Sequence, residues 1–246
     1  MEKTLLIDGD IVMFRFAFRH QKTTCWPGCE PYTYVNEAAA RRDVDTFASS
    51  LLKQTDCKYL KFCFTDKKNF RYLELPTYKQ NRANTKPPIM LKMLKDYIRA
   101  TYPFEVREWL EADDLMGIYG TADPDKYVLA TTDKDFLSIP AKVFLWDKMN
   151  TPCHITEAEA DYAFHMQWLH GDTTDGYYGL KGMGPAKAAK MLENCLSTNE
   201  MTEVCLTEYA DRCWSYKDCL AQARMARILR HTDYDYKERK PILWEP

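Results

Sequence analysis

The sequence predicts an α/β protein in which helices flank a parallel, twisted sheet. Short apolar runs that suit buried strands alternate along the chain with segments whose apolar residues recur every three or four positions, as on one face of a helix. This alternation is typical of parallel sheets, because neighbouring parallel strands are joined by a crossover that is usually a helix. From about residue 155 onwards the pattern is mostly helical. We therefore expect a helical region after the sheet.

Local patterns predict the individual elements. The run KTLLI predicts a first strand at 3–7, and residues 37–53 carry apolar side chains at helical spacing with charged residues on the other faces. Further strands are predicted at 59–64, 104–106, 126–130 and 142–146, and further helices after the prolines at 87 and 88 and from 111 to 120. We expect a core of residues 1–155 and a helical extension of residues 156–246 within the same compact unit.

Composition excludes several classes of protein. The chain has 246 residues, 46% of them hydrophobic, which is enough to bury a substantial core. No apolar run approaches the roughly 20 residues of a membrane helix, and the first residues lack the apolar stretch of a secretion signal. The nine cysteines follow no repeating interval, so we expect buried, reduced thiols in a cytoplasmic protein. The close pair Cys25 and Cys29 lacks the further ligands of a zinc site.

Charge is distributed unevenly, although the net charge is only -2. Residues 58–99 contain eleven Lys or Arg against three acids, whereas residues 105–135 contain nine acids against three basic residues. Two solvated faces of opposite charge would explain this split. The acids, however, follow predicted strands and helix starts, where a sheet of this kind binds its ligands.

Nine acids are expected to lie at this edge of the sheet: Asp8, Asp66, Glu111, Asp113, Asp114, Asp133, Asp135, Asp172 and Asp175. A single Asp after a strand is most often a turn or cap residue, and we assign that role to Asp10. Two carboxylates about 5 Å apart repel by roughly 3 kcal/mol at an effective dielectric near 20, so nine together require cations. Because these motifs offer only oxygen ligands, the sequence predicts two Mg²⁺ or Mn²⁺ ions.

Two further segments have the chemistry of phosphate binding. In GLKGMGPAKAAKML, Gly179, Gly182 and Gly184 would bring backbone N–H groups close to a phosphate before a helix that starts at Pro185. In LPTYKQNRANTKPP, Lys79 and Arg82 could face one phosphate, and Tyr78 offers a ring for a terminal base. A glycine-rich turn between packed helices and an ordinary basic surface turn are the alternatives.

Five motifs occur in an order that resembles the flap endonuclease and 5′ nuclease superfamily, and most closely its compact 5′→3′ exonucleases from short-tailed phages. The motifs are IDGD, FTD with YKQNR, EADD, TTDKDF, and GDTTDGYYGLKGMG followed by a helix. The resemblance implies a PIN-like or 5′-nuclease-like sheet with a helix–hairpin–helix variant at one side. It also implies phosphodiester hydrolysis from the 5′ side of double-stranded or branched DNA, and of RNA in RNA–DNA hybrids, as in primer removal.

The resemblance also assigns roles to individual residues. By motif, Asp8, Asp66, Glu111, Asp113 and Asp114 would serve one metal ion, and Asp133, Asp135, Asp172 and Asp175 the other. Lys79 and Arg82 would contact the scissile phosphate, with Tyr78 as the stacking residue. The hairpin around Gly182 and Gly184 would grip the duplex and hold K⁺ on backbone carbonyls.

Two positions depart from the family pattern. Ala186 stands where relatives commonly have Lys, and Lys187 follows one residue later. Only 28 residues separate Arg82 from Glu111, so we expect a short helical arch or none.

The predicted reaction is two-metal hydrolysis, in which ions about 4 Å apart activate water and neutralise charge on the reacting oxygens. Lys79 and Arg82 would stabilise the phosphate in the transition state. The alternatives are a DNA-end-binding module without catalysis and a PIN-type ribonuclease.

Overall fold

The N-terminal part of the chain forms the predicted sheet. The computed structural model describes residues 2–82 and 85–246. The elements up to residue 154 are β1 (Thr4–Asp8), α1 (Gly9–Arg19), β2 (Gln21–Thr24), β3 (Tyr32–Val35), α2 (Glu37–Thr55), β4 (Tyr59–Cys63), α3 (Arg71–Glu74), α4 (Leu91–Thr101), β5 (Phe104–Glu105), α5 (Ala112–Ala122), β6 (Tyr127–Thr131), β7 (Lys142–Leu145) and β8 (Cys153–His154). Two short 3-10 helices, Gln80–Arg82 and Lys134–Ser138, lie beside the site described below.

Six of these strands form one sheet in the order β5-β4-β1-β6-β7-β8. All neighbours pair in parallel except β7 and β8, which are antiparallel. The five strands predicted from the sequence are present within one or two residues of the expected bounds, so the predicted fold class is confirmed. The order places β1 between β4 and β6, and the carboxyl ends of these three strands lie at one edge.

Both faces of the sheet are covered by helices. In β1, Leu5, Leu6 and Ile7 are all fully buried. Leu5 and Ile7 pack into a core with α1, α2 and α4, whereas Leu6 packs on the opposite side with α5. A strand that is buried on both faces carries a continuous apolar run rather than an alternating one. The run KTLLI therefore marks the centre of the sheet.

Helix α1 and the antiparallel hairpin of β2 and β3 were not predicted. Asp8 ends β1 and caps α1, since its Oδ1 accepts the Ile11 N–H at 3.0 Å. Gly9 lets α1 start close to β4, because a Cβ there would lie 2.4 Å from Cε1 of the Phe64 ring. Helix α1 carries apolar residues on several faces, so its sequence does not show the regular spacing of apolar residues that would predict a helix.

The region after residue 155 is mostly helical, as predicted. Its elements are α6 (Glu157–His170), α7 (Pro185–Leu192), α8 (Thr198–Asp211), α9 (Tyr216–Ala226), a 3-10 helix (His231–Asp233), β9 (Tyr234–Asp235) and β10 (Lys240–Pro241). Trp168 and Tyr209 are buried in its core. The chain after α9 returns to the sheet domain, where the Leu229 N–H donates to Asp114 Oδ1 at 3.1 Å. The division at residue 155 stays a prediction.

Cysteine burial only partly matches the expectation. All nine cysteines are free thiols, but only Cys57, Cys63, Cys205 and Cys219 are buried. Cys25 and Cys29 are exposed in the connection between β2 and β3. In the described parts of the chain, no helix combines the length and the apolar character that crossing a lipid bilayer requires.

Candidate active site

The carboxyl ends of β1 and β6 and the start of α5 open into a pit of about 690 Å³, which we call the acid pit. Six of the nine predicted acids line it: Asp8, Glu111, Asp113, Asp133, Asp135 and Asp175. Lys79 and Arg82 line it as well. Residues far apart in the sequence therefore meet at the edge where the strand order predicts a ligand site.

Asp8 lies at the floor of the acid pit and is only 2% exposed. While its Oδ1 caps α1, its Oδ2 accepts the hydroxyl of Thr131 at 3.1 Å. Burial, and secondly the charge of Asp10, raise the pKa of Asp8 to about 7. The metal-free site thus disfavours the ionised form of this carboxylate.

Asp133 and Asp135 follow β6 and share a tight turn. Asp133 Oδ1 accepts the Asp135 N–H at 2.9 Å, and Asp135 Oδ2 accepts Nε2 of Gln167 at 2.8 Å. Burial, and then the charge of Asp133, raise the pKa of Asp135 to about 7. Burial also raises the pKa of Asp113, with Asp8 and Asp133 adding to the effect. These carboxylates gain most from a cation placed among them.

Lys79 is the cation nearest to Glu111. Its Nζ lies 2.6 Å from Glu111 Oε1 and 3.5 Å from Asp175 Oδ2. Burial alone would lower the Lys79 pKa, but Glu111 and Asp175 outweigh it and hold that pKa above its ordinary value. Burial likewise opposes ionisation of Glu111, yet Lys79 and Arg71 hold the Glu111 pKa below its ordinary value. Lys79 and Glu111 therefore remain a charged pair.

The basic segment Tyr78–Arg82 is bound to the GDTTDG segment. The Lys79 N–H donates to the carbonyl of Asp175 at 2.7 Å, and the φ of Lys79 is +53°. Gly176 permits this approach, since a Cβ there would lie 3.2 Å from the Lys79 nitrogen. Arg82 forms an ion pair with Asp175 and donates from Nε to the carbonyl of Thr174 at 3.2 Å. Two motifs separated by about 90 residues thus form one wall of the pit.

Asp114 does not line the acid pit, and the metal-site role predicted for it stays a prediction. It is fully buried and binds the guanidinium of Arg71 with both oxygens, at 2.7 and 2.8 Å. The same oxygens accept the backbone N–H of Glu111 and of Leu229, each at 3.1 Å. These four hydrogen bonds use the roughly four acceptor positions of the carboxylate. Arg71 was missed because a buried arginine resembles any other member of a basic run in the sequence.

Asp66 does not line the acid pit, and the metal-site role predicted for it stays a prediction. Its Oδ2 accepts the backbone N–H of Lys68 at 3.3 Å and of Trp109 at 3.2 Å, which ties the segment after β4 to the segment before α5. Slight burial would raise the Asp66 pKa, but backbone N–H groups outweigh it and lower that pKa. Asp10, predicted to be only a cap, lines the pit instead. The cap of α1 is Asp8, and that earlier assignment of Asp10 is wrong.

Asp172 lies at the rim and does not line the pit. Its Oδ1 accepts the Thr174 N–H at 2.7 Å, and its backbone pairs with Tyr177 to close the GDTTDG turn. The charge of Asp172 nevertheless contributes to the raised pKa of Asp133 and of Asp135, after burial and nearer groups.

Tyr78 does not expose its ring for stacking. It is 3% exposed, and its hydroxyl donates to Glu111 Oε2 at 3.0 Å and to Asp175 Oδ2 at 3.1 Å. The exposed rings that line the pit are Phe14, Phe18 and Tyr72. Tyr78 is therefore placed to orient two acids rather than a base.

The predicted glycine hairpin, residues 179–184, precedes α7. Gly179 and Gly182 have positive φ values of +56° and +73°. The Nζ of Lys187 donates to the carbonyl of Gly182 at 3.0 Å. Beside the hairpin, a cleft of about 440 Å³ is lined by Lys181, Lys187, Lys190 and Arg212 among others. The hairpin thus presents positive charge on one side.

The donor set of the acid pit fits hard divalent cations. Its charged donors are carboxylates, and Mg²⁺ and Mn²⁺ prefer oxygen ligands. Among residues 2–82 and 85–246, however, no three Asp, Glu, His or Cys side chains converge closely enough to form a finished ion cage. Instead, Lys79 forms an ion pair with Glu111, and Arg82 forms an ion pair with Asp175.

Known proteins resemble this chain in sequence and in fold. An exonuclease of Escherichia phage T7 is 28% identical, over 98% of this chain and 93% of its own length. An exodeoxyribonuclease of Enterobacteria phage T3 is 27% identical, over 98% and 92%. The crystal structure of the T5 D15 protein co-crystallised with metal ions has a TM-score of 0.67 at 16% identity, covering 92% of this chain and 89% of that chain. A T5 5′-exonuclease with bound zinc ions has a TM-score of 0.61 at 16% identity, covering 92% and 93%.

A match to a protein-family model shows which family the chain belongs to. The model described as "5'-3' exonuclease, N-terminal resolvase-like domain" matches residues 3–165, which is more than half of the chain. The matched range contains β1 to β8 and six of the seven acids that line the acid pit, Asp10 included. The chain therefore belongs to the 5′-3′ exonuclease family.

Proposed function

We propose that this nuclease hydrolyses phosphodiester bonds of DNA from 5′ ends by a two-metal mechanism in the acid pit. The observation that carries the proposal is that Lys79 and Arg82 share one pit with six predicted acids. Acids alone would repel a polyanion, whereas acids with cations and a basic wall attract and orient it. The T7 and T3 relatives are named as an exonuclease and an exodeoxyribonuclease, which supports DNA as the substrate.

The basic wall would change partners during the reaction. Two divalent ions, when bound, would supply activation of water and neutralise charge on the attacking and leaving oxygens. Glu111 and Asp175 would then turn toward the ions and release Lys79 and Arg82. The freed ammonium and guanidinium would contact the scissile phosphate, and charge stabilisation of this kind typically contributes a few kcal/mol to the transition state. Tyr78 would keep Glu111 and Asp175 oriented through its hydroxyl.

The acid pit would hold its ions with the carboxylates that line it. Asp8, Glu111 and Asp113 are proposed for one ion, and Asp133, Asp135 and Asp175 for the other. Asp172 would act from the rim through water. The resemblance assigns Asp66 and Asp114 to the first ion as well, directly or through water, although neither lines the acid pit.

The glycine hairpin would grip the duplex away from the cut. Gly179, Gly182 and Gly184 open the backbone, and Lys187 adds charge. The resemblance implies K⁺ on the hairpin carbonyls. Because Gly182 O already accepts the Lys187 ammonium, we propose that Lys187 takes the place of the monovalent ion at this oxygen.

The finer substrate range follows from the same proposal. We expect action on double-stranded and branched DNA and on the RNA strand of RNA–DNA hybrids, by a monomer in the cytoplasm. A flap endonuclease from bacteriophage T5 has the same fold, with a TM-score of 0.58. That likeness supports the fold.

A duplex labelled at either end tests the proposal. With Mg²⁺, a 5′ label should be released early as short products, while a 3′ label should remain on fragments that shorten gradually. A chelator should stop both reactions. Intact but retarded duplex would support a DNA-end-binding module instead, and cleavage of RNA alone would support a PIN-type ribonuclease.

A further inference from the structure

Among the described residues that line the acid pit, Gln167 alone carries a side-chain amide. It lies on α6 and is 7% exposed. Its Nε2 donates to Asp135 Oδ2 at 2.8 Å. An ionised carboxylate only accepts hydrogen bonds, so the nitrogen of the amide, and not its oxygen, must face Asp135. The sequence pattern assigned no role to Gln167.

The Asp135 side chain depends on this one bond for its orientation. The backbone of Asp135 is fixed separately, since its N–H donates to Asp133 Oδ1 at 2.9 Å and its carbonyl accepts the Ser138 hydroxyl at 2.7 Å. In the described parts of the chain, the bond from Gln167 is the one hydrogen bond to the Asp135 carboxylate, and it uses Oδ2. Without it, the carboxylate could turn about two side-chain torsions. Gln167 thus sets the direction in which Asp135 Oδ1 points.

Helix α6 holds the amide in place. Ala160 of α6 lies in one core with Phe136, a residue of the 3-10 helix that carries Asp135. At the other end of α6, the Gly171 N–H donates to the carbonyl of Gln167 at 2.8 Å. The backbone of Gln167 is therefore held on both sides, and its side chain spans a fixed distance to Asp135.

The partner of Asp135 is neutral, unlike the partner of Glu111. Glu111 forms an ion pair with Lys79. An ammonium beside a carboxylate competes with a metal ion for its charge, whereas an amide orients the carboxylate and leaves its charge available. Gln167 therefore has the chemistry of a residue that orients a metal-binding carboxylate.

We propose that Gln167 is a positioning residue of the acid pit, which holds Asp135 Oδ2 so that Oδ1 faces a metal ion. The ion is the one proposed above for Asp133, Asp135 and Asp175. Gln167 itself would touch neither the ion nor the DNA. The proposal rests on the function proposed above. It extends the metal site from the carboxylates of the pit to a residue of the helical region.

Gln167→Met and Gln222→Met form a matched pair that tests the proposal. Both remove the amide of a buried glutamine and keep the length of the side chain. Gln222 lies on α9, is 5% exposed and accepts the Gly179 N–H at 2.9 Å through Oε1, so it supports the hairpin. Mn²⁺ binding without DNA is measured by the loss of the free-ion electron paramagnetic resonance signal. Thermal unfolding in chelator shows whether each variant is folded, and cleavage of 5′-labelled duplex in Mg²⁺ gives kcat and KM.

Gln167→Met is expected to weaken Mn²⁺ binding by roughly 10- to 100-fold and to lower kcat, with little change in KM. Gln222→Met is expected to bind Mn²⁺ as the wild type does. Unchanged Mn²⁺ affinity in folded Gln167→Met would overturn the proposal and leave Gln167 as a packing residue. An equal loss of Mn²⁺ affinity in Gln222→Met would overturn it as well, since the loss of any buried amide in the helical region would then suffice.

Gln167→Lys tests the proposal independently, even where Gln167→Met does not fold. Its ammonium keeps a donor for Asp135 Oδ2 but adds a positive charge near the ion. Turnover at saturating Mg²⁺ should stay close to that of the wild type, while the Mg²⁺ concentration for half-maximal cleavage should rise several-fold. Loss of turnover at saturating Mg²⁺, or an unchanged Mg²⁺ requirement, would overturn the proposal. If the wild type itself binds no Mn²⁺ and cleaves no DNA, the proposed function fails, an outcome distinct from these.

Discussion

The acid pit and the glycine hairpin each place a lysine ammonium against oxygens that the sequence predicted to hold a cation. In the pit, Lys79 contacts Glu111 and Asp175. In the hairpin, Lys187 contacts the carbonyl of Gly182. The hairpin oxygen is neutral, so one ammonium satisfies it. The pit contains several ionisable carboxylates that no lysine or arginine reaches in the described residues, so internal cations do not replace metal ions there.

The acids in and behind the acid pit fall into two groups, which we call walls, according to whether a Lys or Arg side chain pairs with them. The paired wall contains the acids that have a Lys or Arg partner, which are Glu111, Asp114 behind it and Asp175. The unpaired wall contains Asp8, Asp10, Asp113, Asp133 and Asp135, each with a raised pKa in which burial is the largest cause. Stability is expected to depend on the first wall and metal binding on the second. Each prediction below tests one side of that division.

The largest effect is expected from breaking the paired wall at its buried end. Arg71→Met would leave Asp114 fully buried without its counter-ion, which costs roughly 3–5 kcal/mol for a pair of this kind. Urea unfolding in chelator measures the loss. Lys68→Met, which breaks an exposed pair with Glu108, should leave the midpoint almost unchanged. Equal costs for the two variants would show that the buried pair contributes no more than a surface pair.

The next effect is expected from the unpaired wall. Asp135→Asn should reduce cleavage by roughly 10²–10³-fold, because it removes a charged oxygen that would hold a divalent ion where charge develops on the phosphate. Duplex binding should stay equal or tighten, since one repulsive charge is gone. Gel retardation in Ca²⁺ and cleavage in Mg²⁺ separate the two quantities. Full activity in this variant would contradict the site assignment.

The sequence predicted the sheet well because burial on both faces forces continuous apolar runs, as in Leu5, Leu6 and Ile7. The sequence also correctly predicted that six of the acids meet at one site. The carboxyl ends of neighbouring parallel strands lie at the same edge of a sheet, and this does not depend on the conformation of the loops. Spacing alone could not show where a side chain turns after the strand ends. Asp10 lies two residues past the end of β1 and Asp66 three residues past the end of β4, yet only Asp10 lines the pit.

Partners distant in sequence explain the other differences. Asp114 has the spacing of a ligand on the face of Glu111, but it binds Arg71 and the N–H of Leu229, which is 115 residues away. Tyr78 has the sequence position of a stacking residue, but it is buried and its hydroxyl is hydrogen-bonded to the carboxylates of Glu111 and Asp175. A single sequence carries no signal for such pairings, because a buried and an exposed arginine look alike in it.

A smaller effect is expected from pH in the absence of metal. The ordinary carboxyl pKa is 3.8, and that of Asp8 and of Asp135 is raised to about 7 in the folded protein. The folded state therefore binds more protons than the unfolded state between these values, and this contribution to stability is lost as the pH rises through about 7. In chelator, Tm should fall from about pH 5 to about pH 8, and Asp135→Asn should show a shallower fall.

Divalent ions should reverse that trend. At about pH 8 the carboxylates are ionised, so Mn²⁺ should raise Tm more than it does at about pH 5, where protons compete for the same oxygens. Differential scanning fluorimetry at both pH values, with and without Mn²⁺, measures the difference. A Tm gain that does not depend on pH would indicate that Mn²⁺ binds outside the unpaired wall.

The smallest effect is expected at the glycine hairpin, where we expect the ammonium of Lys187 to replace K⁺ at the carbonyl of Gly182. Wild-type duplex binding should be the same in KCl and in NaCl at equal ionic strength. Lys187→Ala frees Gly182 O, so binding should weaken several-fold in NaCl and recover in part in KCl, whereas the control Lys190→Ala should weaken equally in both salts. Fluorescence anisotropy of a labelled duplex in Ca²⁺ measures all three proteins. A wild type that needs K⁺ would show that the ammonium of Lys187 does not substitute for the ion at this neutral oxygen.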